Sequence, residues 1–298
     1  MRLDSILGAI GETPLVTLQR VRPLRGTLLL KLEAQNPGGS AKDRAVKSMV
    51  LAAEQAGALK PGATLVEGTA GNTGIGLALV AAARGYKAVV AMPRNASADK
   101  QAVLRLLGAE IVLTPPDLPL EHPESYVAVA ERMAKERPGA HRLGQFENLA
   151  NPDAHFDTTG PELWRDCAGR VDVLVGCIGT SGTLSGTTRF LRERNPSLRL
   201  VVGQPAQEPT VVEGITDEDP SENFGGVRVD ARHRVEDTES ISIAQRVARE
   251  EGLLIGLSAG TAVAAALRDS ASWREGDVAV VIAPDTARNY LRTLAPSP

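Results

Sequence analysis

A lysine at the mouth of a helix, behind two glycines, offers the plainest chemistry in this sequence: Asn36-Pro37-Gly38-Gly39-Ser40-Ala41-Lys42-Asp43-Arg44. Ser40 and Asp43 have the spacing of a capping box, which predicts Ser40 as N-cap and Lys42 as second residue of the first turn. An ammonium there faces the positive end of the helix dipole, which favours its neutral form. An amine that loses its proton easily is what Schiff-base chemistry requires. Taken alone, the nonapeptide describes equally well a capped surface helix with a solvated lysine.

Three more loops follow strands and carry reactive or binding groups. Gly179-Thr180-Ser181-Gly182-Thr183 opens a helix, and its amides and hydroxyls would form a nest suited to a phosphate, though a plain tight turn explains it about as well. It is not a Walker A loop, because no lysine follows Gly182. Thr69-Ala70-Gly71-Asn72-Thr73 also precedes a helix, with hydroxyls and open amides that could receive a carboxylate. Gly71–Gly76 reads G-x-x-G-x-G rather than the dinucleotide fingerprint G-x-G-x-x-G, which counts against a nicotinamide enzyme. Gly256-Leu257-Ser258-Ala259-Gly260 puts a hydroxyl at the end of a strand.

The elements that must position these loops alternate strand and helix. Strands are expected over Thr27–Glu33, Ala63–Glu67, Lys87–Met92 and Glu110–Thr114. Helices are expected over Ala41–Gln55, from the Asn72 loop to Arg84, over Ser97–Leu107 and, after a proline-rich loop over Thr114–Pro123, over Glu124–Glu136. A loop over Pro138–Asn151 leads to a second half of the same style. Its helices are Ala154–Asp166, Thr183–Arg194, Ser240–Glu251, Gly260–Arg268 and a last one from Asp285. Its strands are Val171–Ile178, Leu198–Gly203, Leu253–Leu257 and Val278–Ala283. Residues Gln204–Gly226 read as irregular and acidic. The alternation predicts an α/β protein of two lobes with mostly parallel sheets, and a ligand in the cleft between them.

The bulk composition agrees with a small-molecule protein. Of 298 residues, 43% are hydrophobic and only 3% aromatic, so the core is aliphatic. A net charge of −3 and few aromatics leave no footprint for nucleic acid. Two cysteines and four scattered histidines supply neither a disulfide framework nor metal-ligand spacing, so no metal is expected. Met1–Ser5 begins no signal-peptide pattern and no run reaches the ~20 apolar residues of a membrane span. A cytoplasmic protein is expected.

From near Gly11 to about Thr293 the chain resembles the fold-type II pyridoxal 5'-phosphate enzymes of the cysteine synthase and cystathionine β-synthase family. The resemblance is to their catalytic core alone, without a haem-binding extension or regulatory module. NPGGSAKDR resembles the Schiff-base loop, TAGNTG the asparagine loop, GTSGT the phosphate loop and SAG the segment with the pyridine-nitrogen serine. This resemblance implies two αβα lobes of the tryptophan synthase β type. They would be a smaller mobile lobe over 37–145 and a larger one from 1–36 plus 146–298. It makes Lys42 the catalytic and cofactor-bearing lysine. Asn72, Gly179, Thr180, Ser181, Gly182, Thr183 and Ser258 would bind the cofactor. Thr69, Ala70, Gly71, Thr73 and Gln145 would bind the substrate. A neutral hydroxyl at the pyridine nitrogen favours loss of a β-leaving group over transamination.

The implied activity is β-replacement on a serine-type amino acid. Cysteine synthase (O-acetylserine plus sulfide) stands first, with cystathionine β-synthase (homocysteine as acceptor) as alternative. A catalytically silent, regulatory cofactor-binding paralogue is a third reading. Gln145-Phe146 resembles cysteine synthases, and Phe156 stands where cystathionine β-synthases often carry tyrosine; HPESYVAVAERM, VEGI, EEGLLIGLSAG and PDTARNY resemble cystathionine β-synthase cores. Ala70 replaces a serine of the family loop, and TDEDPSENF over 216–224 departs from the family stretch at the substrate mouth. A homodimer is expected by resemblance, which also admits a serine acetyltransferase as partner.

Overall fold

The computed structural model describes residues 2–216 and 221–295. Positions 217–220 of the divergent 216–224 stretch lie outside the described residues. In chain order the strands are β1 (Leu15–Thr17), β2 (Thr27–Leu32), β3 (Thr64–Gly68), β4 (Lys87–Pro93), β5 (Glu110–Thr114), β6 (Ala140–Arg142), β7 (Val173–Cys177), β8 (Arg199–Pro205), β9 (Ala231–Val235) and β10 (Val278–Ala283). The helices are α1 (Lys42–Gln55), α2 (Asn72–Arg84), α3 (Ala98–Leu106), α4 (Tyr126–Glu136), α5 (Ala150–Ala154), α6 (Gly160–Asp166), α7 (Gly182–Arg194), α8 (Asp237–Glu251), α9 (Leu257–Asp269) and α10 (Leu291–Leu294). The chain forms two compact units, one of residues 1–10 with 42–151 and one of 11–41 with 152–298.

The first unit carries a four-stranded parallel sheet in the order β5-β4-β3-β6. Its helix α2 is small and apolar along most of its length, which lets it sit buried on the sheet, and it ends at Gly85 in the left-handed conformation that glycine adopts at a helix C′ position. Leu65, Leu77, Val90, Met92 and Leu104 are fully buried there. The second unit carries a six-stranded sheet in the order β1-β2-β10-β7-β8-β9, parallel except for the β1–β2 pair. Its central strands are apolar runs such as Val278–Ala283, as expected of strands covered on both faces. The small-residue helix α9 packs at its centre, with Ala262 through Ala266 buried.

The two mostly parallel α/β units agree with the fold class read from the sequence; several elements differ. Leu253–Leu257 is not a strand: Leu257 already starts α9, and only Ile255 makes a single bridge, to Thr286. The helix expected over Ala154–Asp166 begins at Ala150 and widens into a π turn over His155–Thr159 before α6. The last helix is a 3₁₀ turn over Ala287–Tyr290 followed by α10. Strands β1, β6 and β9 occupy segments where the sequence carries no strand signal. Helix α1 starts at Lys42 itself, so Lys42 is the first helical residue and not the second.

The N-terminal segment of the second unit is tied down by buried charge. Lys31 Nζ, fully buried, lies 2.7 Å from Glu162 Oε2 and donates to the Thr13 carbonyl at 2.6 Å. Thr13 Oγ1 donates to Glu33 Oε1 at 2.6 Å, and the Glu12 amide donates to Glu162 at 3.0 Å. Removing one member of such a pair is costly because the other charge stays buried. Lys31→Met is therefore expected to lower unfolding free energy by about 3–5 kcal/mol. Replacing Glu162 by Leu in the same chain should restore part of the loss. Chemical denaturation of the two variants measures both.

Candidate active site

In the first unit, Lys42 opens α1 and is partly exposed, while Asp43 and Arg44 beside it are buried. The glycine pattern that resembles no nucleotide fingerprint has a packing role here. A Cβ on Gly76 would stand 3.3 Å from Asp43 Oδ1 and 3.4 Å from the Lys42 carbonyl oxygen, so glycine lets α2 lie close against the start of α1. The asparagine loop leaves β3 at Gly68 and enters α2 at Asn72. Gly71 is its N-cap and provides no side-chain cap at the positive end of the helix. Thr69 Oγ1 accepts the Gly71 amide at 3.1 Å, and Thr73 Oγ1 donates to Gln145 Oε1 at 2.6 Å. Gln145 Nε2 donates to the Gly68 carbonyl at 3.3 Å. The structure therefore pairs Thr73 with Gln145 and Thr69 with Gly71 around the same loop, which also carries Ala70 and Asn72. Along the chain Gln145 stands 72 residues away from Thr73.

In the second unit, β7 runs into the Gly179–Thr183 loop and α7. Ser181 is the N-cap of α7 with φ +66°, left-handed and strained for a residue with a Cβ, and it makes no side-chain cap. Its Oγ is buried and has no hydrogen-bond partner among the described residues. An orphaned hydroxyl beside uncapped amides at a helix N-terminus is a cradle suited to a phosphate. Ser258, in the first turn of α9, is partly exposed, and its carbonyl accepts the Cys177 thiol at 3.3 Å. Burial pushes that thiol up to about 12, so Cys177 is neutral and unreactive beside Ser258.

Four supports of the Gly179–Thr183 loop carry no function in the sequence reading. His155 is buried in the π turn, with Nδ1 2.9 Å from Thr159 Oγ1 and Nε2 3.2 Å from Thr183 Oγ1, so it holds the last loop hydroxyl. A π turn adds one residue to a helical turn and re-aims the side chains beyond it, often at functional sites. Gly214 backs the loop: a Cβ on Gly179 would lie 2.2 Å from the Gly214 carbonyl oxygen. Ser221 Oγ and Asn223 Nδ2 donate to the Thr180 carbonyl at 3.0 and 3.4 Å. The described ends of the stretch read as irregular thus grip the loop, and only the VEGI motif at Val212–Ile215 could have pointed there. Phe156 stacks edge-on against Phe190 at 5.6 Å with Arg189 over its ring, a packing position.

A helix-leading lysine and a nest suited to a phosphate, on two mostly parallel α/β units, fit a protein that holds a phosphorylated carbonyl cofactor. The chain belongs to the pyridoxal-phosphate dependent enzyme family, whose pattern matches residues 6–285. Cystathionine beta-synthase of Rattus norvegicus is 42% identical over 306 residues, which cover 97% of this chain and 54% of that protein. The protein of the same name from Apis mellifera is 39% identical over 307 residues, covering 97% and 60%. The chain spans little more than half the length of these curated relatives. Among solved structures, O-ureido-L-serine synthase matches with a TM-score of 0.89 at 39% identity, covering 98% of this chain and 95% of that one. A hydrogen sulfide-producing enzyme from Fusobacterium nucleatum matches with 0.89 at 30% identity, covering 98% and 99%. The fold is that of the fold-type II enzymes, and the cofactor is pyridoxal phosphate. Among the described residues no helix is long and apolar enough to cross a membrane.

Proposed function

We propose that the protein catalyses β-replacement on a serine-type amino acid, exchanging the Cβ oxygen substituent for a sulfur nucleophile. Pyridoxal phosphate, when bound, supplies the electron sink that lets Cα release its proton and Cβ its leaving group. Lys42 would carry the cofactor, and its Nζ would take the Cα proton and later return it. Gly179–Thr183 would hold the phosphate, and Asn72 and Ser258 would bind the ring. Thr69, Gly71, Thr73 and Gln145 receive the substrate carboxylate through hydroxyl and amide groups at the start of α2. Ala70 contributes no hydroxyl, so the carboxylate relies more heavily on Thr73 and Gln145. The observation that carries this reading is the buried Thr73–Gln145 pair at the start of α2.

Homocysteine is the acceptor we favour, because the curated relatives matched over 97% of the chain are named cystathionine beta-synthase. Sulfide with O-acetylserine is the second reading, motivated by Gln145-Phe146. We further propose a homodimer acting in the cytoplasm, with the two units dividing near residues 37–41 and 145–151. The deciding experiment adds O-acetyl-L-serine or L-serine to the coloured holoenzyme, then homocysteine or sulfide, and quantifies products by mass spectrometry. Cystathionine forming faster than cysteine is the expected result. Cysteine forming faster would move the assignment to the second reading. Absence of either product with every donor would leave a silent cofactor-binding protein.

A further inference from the structure

Glu67, the fourth residue of β3, is a carboxylate with no part in the β-replacement cycle, and it is 1% exposed. Its Oε2 accepts the amide of Gly144 at 2.8 Å and its Oε1 the amide of Gly68 at 3.3 Å. Gly144 sits at φ +69°, so the chain turns sharply there and presents Gln145 next. Gln145 then spans back, accepting from Thr73 at 2.6 Å and donating to the Gly68 carbonyl at 3.3 Å, while Asn151 holds its own carbonyl at 2.7 Å. The Nε2 end of Gln145 thus meets Gly68, whose amide Glu67 also accepts, and the backbone of Gln145 follows Gly144, which Glu67 holds. A buried acid that touches only backbone amides is an expensive way to close a turn unless the position of that turn matters.

We propose that Glu67 is a positioning residue that latches the Gly144–Gln145 turn to the end of β3 and so presents Gln145 to the substrate carboxylate. This rests on the reading of Thr73 and Gln145 as carboxylate-binding residues. The charged groups facing Glu67 are Arg142 on β6, which favours its ionised form, and Glu147 just beyond, which opposes it; Arg142 is itself engaged by Glu147 and Glu131 of α4. Burial outweighs these and the two amides, raising the carboxyl to about 7. Above that pH the latch is a charge-assisted hydrogen bond, and below it a neutral and weaker one. The latch therefore loosens as pH falls through about 7.

Steady-state kinetics with O-acetyl-L-serine and L-serine test this in the holoenzyme, on wild type, Glu67→Gln and Gln145→Ala. Wild-type KM for the donor is expected to rise about three- to tenfold from pH 8 to pH 6, with kcat changing far less. Glu67→Gln should show the raised KM already at pH 8 and lose the extra rise at pH 6, with its cofactor absorbance intact. Amide exchange on wild type without substrate, corrected for intrinsic rates, should show Gly144 less protected at pH 6 than at pH 8. An unchanged KM in Gln145→Ala would overturn the carboxylate reading itself. A raised KM in Gln145→Ala beside a wild-type-like Glu67→Gln would overturn only the latch. Should Glu67→Gln not fold, a wild-type Gly144 protection that is flat from pH 6 to pH 8 overturns it equally.

Discussion

Lys42→Ala is expected to lower turnover by at least a thousandfold while leaving the fold intact. On the role proposed for Lys42 two losses combine: no amine remains to carry the cofactor, and none remains to move the Cα proton, a role worth 10²–10⁴ in rate on its own. The fold should tolerate the change, because Lys42 is partly exposed at the first position of α1 and alanine is the best helix former. A melting temperature within about 2 °C of wild type, beside absent product formation, is the expected pair of results. Product formation at a tenth or more of the wild-type rate in Lys42→Ala would remove Lys42 from the mechanism.

The second large effect is expected at Gly179. Its backbone needs no left-handed conformation, so alanine carries no conformational strain and would even rigidify the unfolded chain by about 0.4–1 kcal/mol. Space decides against it. The new Cβ would stand 2.2 Å from the Gly214 carbonyl oxygen, a backbone atom that cannot rotate away. Overpacking of this kind typically costs about 1–3 kcal/mol, more than the entropic gain. The displaced segments are the phosphate loop and the stretch that grips it, so cofactor affinity should fall more than stability does. Titration of apoprotein with pyridoxal phosphate should show a Kd raised more than tenfold, with a melting temperature lowered by only a few degrees. An unchanged Kd would mean the nest does not hold the phosphate.

Much of this was legible because local chemistry and tertiary role coincide. The Lys42 and Gly179–Thr183 loops are read as helix starts and are found as helix starts, since glycine and small hydroxyl residues are required there whatever the surroundings. Elsewhere the determinants are remote. Strand β9, Ala-Arg-His-Arg-Val, looks too polar for a parallel sheet, but it is the edge strand, with its charged side chains outward. Leu253–Leu257 has the apolar run of a strand, yet Gly256 packs against Asp285 so tightly that a Cβ would lie 1.9 Å from Oδ1, and the chain turns there into α9. Glu67 and His155 carry no local signature, because what gives them meaning is a partner 28 to 77 residues away. Gln204 and Pro205 prove to end β8, and the described residues beyond them have no periodicity to read because they are held by scattered contacts, such as Thr210 to Asp237 and Ser221 to the Thr180 carbonyl.

Strand order in the second unit also bears on how the chain is made. β2, completed by residue 32, has β1 on one side and β10, residues 278–283, on the other. During synthesis β2 must wait for almost the whole chain before its parallel neighbour exists. The first-unit sheet, by contrast, is complete once residue 142 has emerged, and all its strand pairs lie within 64–142. Domains commonly fold as units while the ribosome is still working, and long-range parallel pairing is the slow step. The nascent protein would then carry a finished first-unit sheet flanked by an unfinished one, with the apolar strand Thr27–Leu32 as the segment most in need of protection.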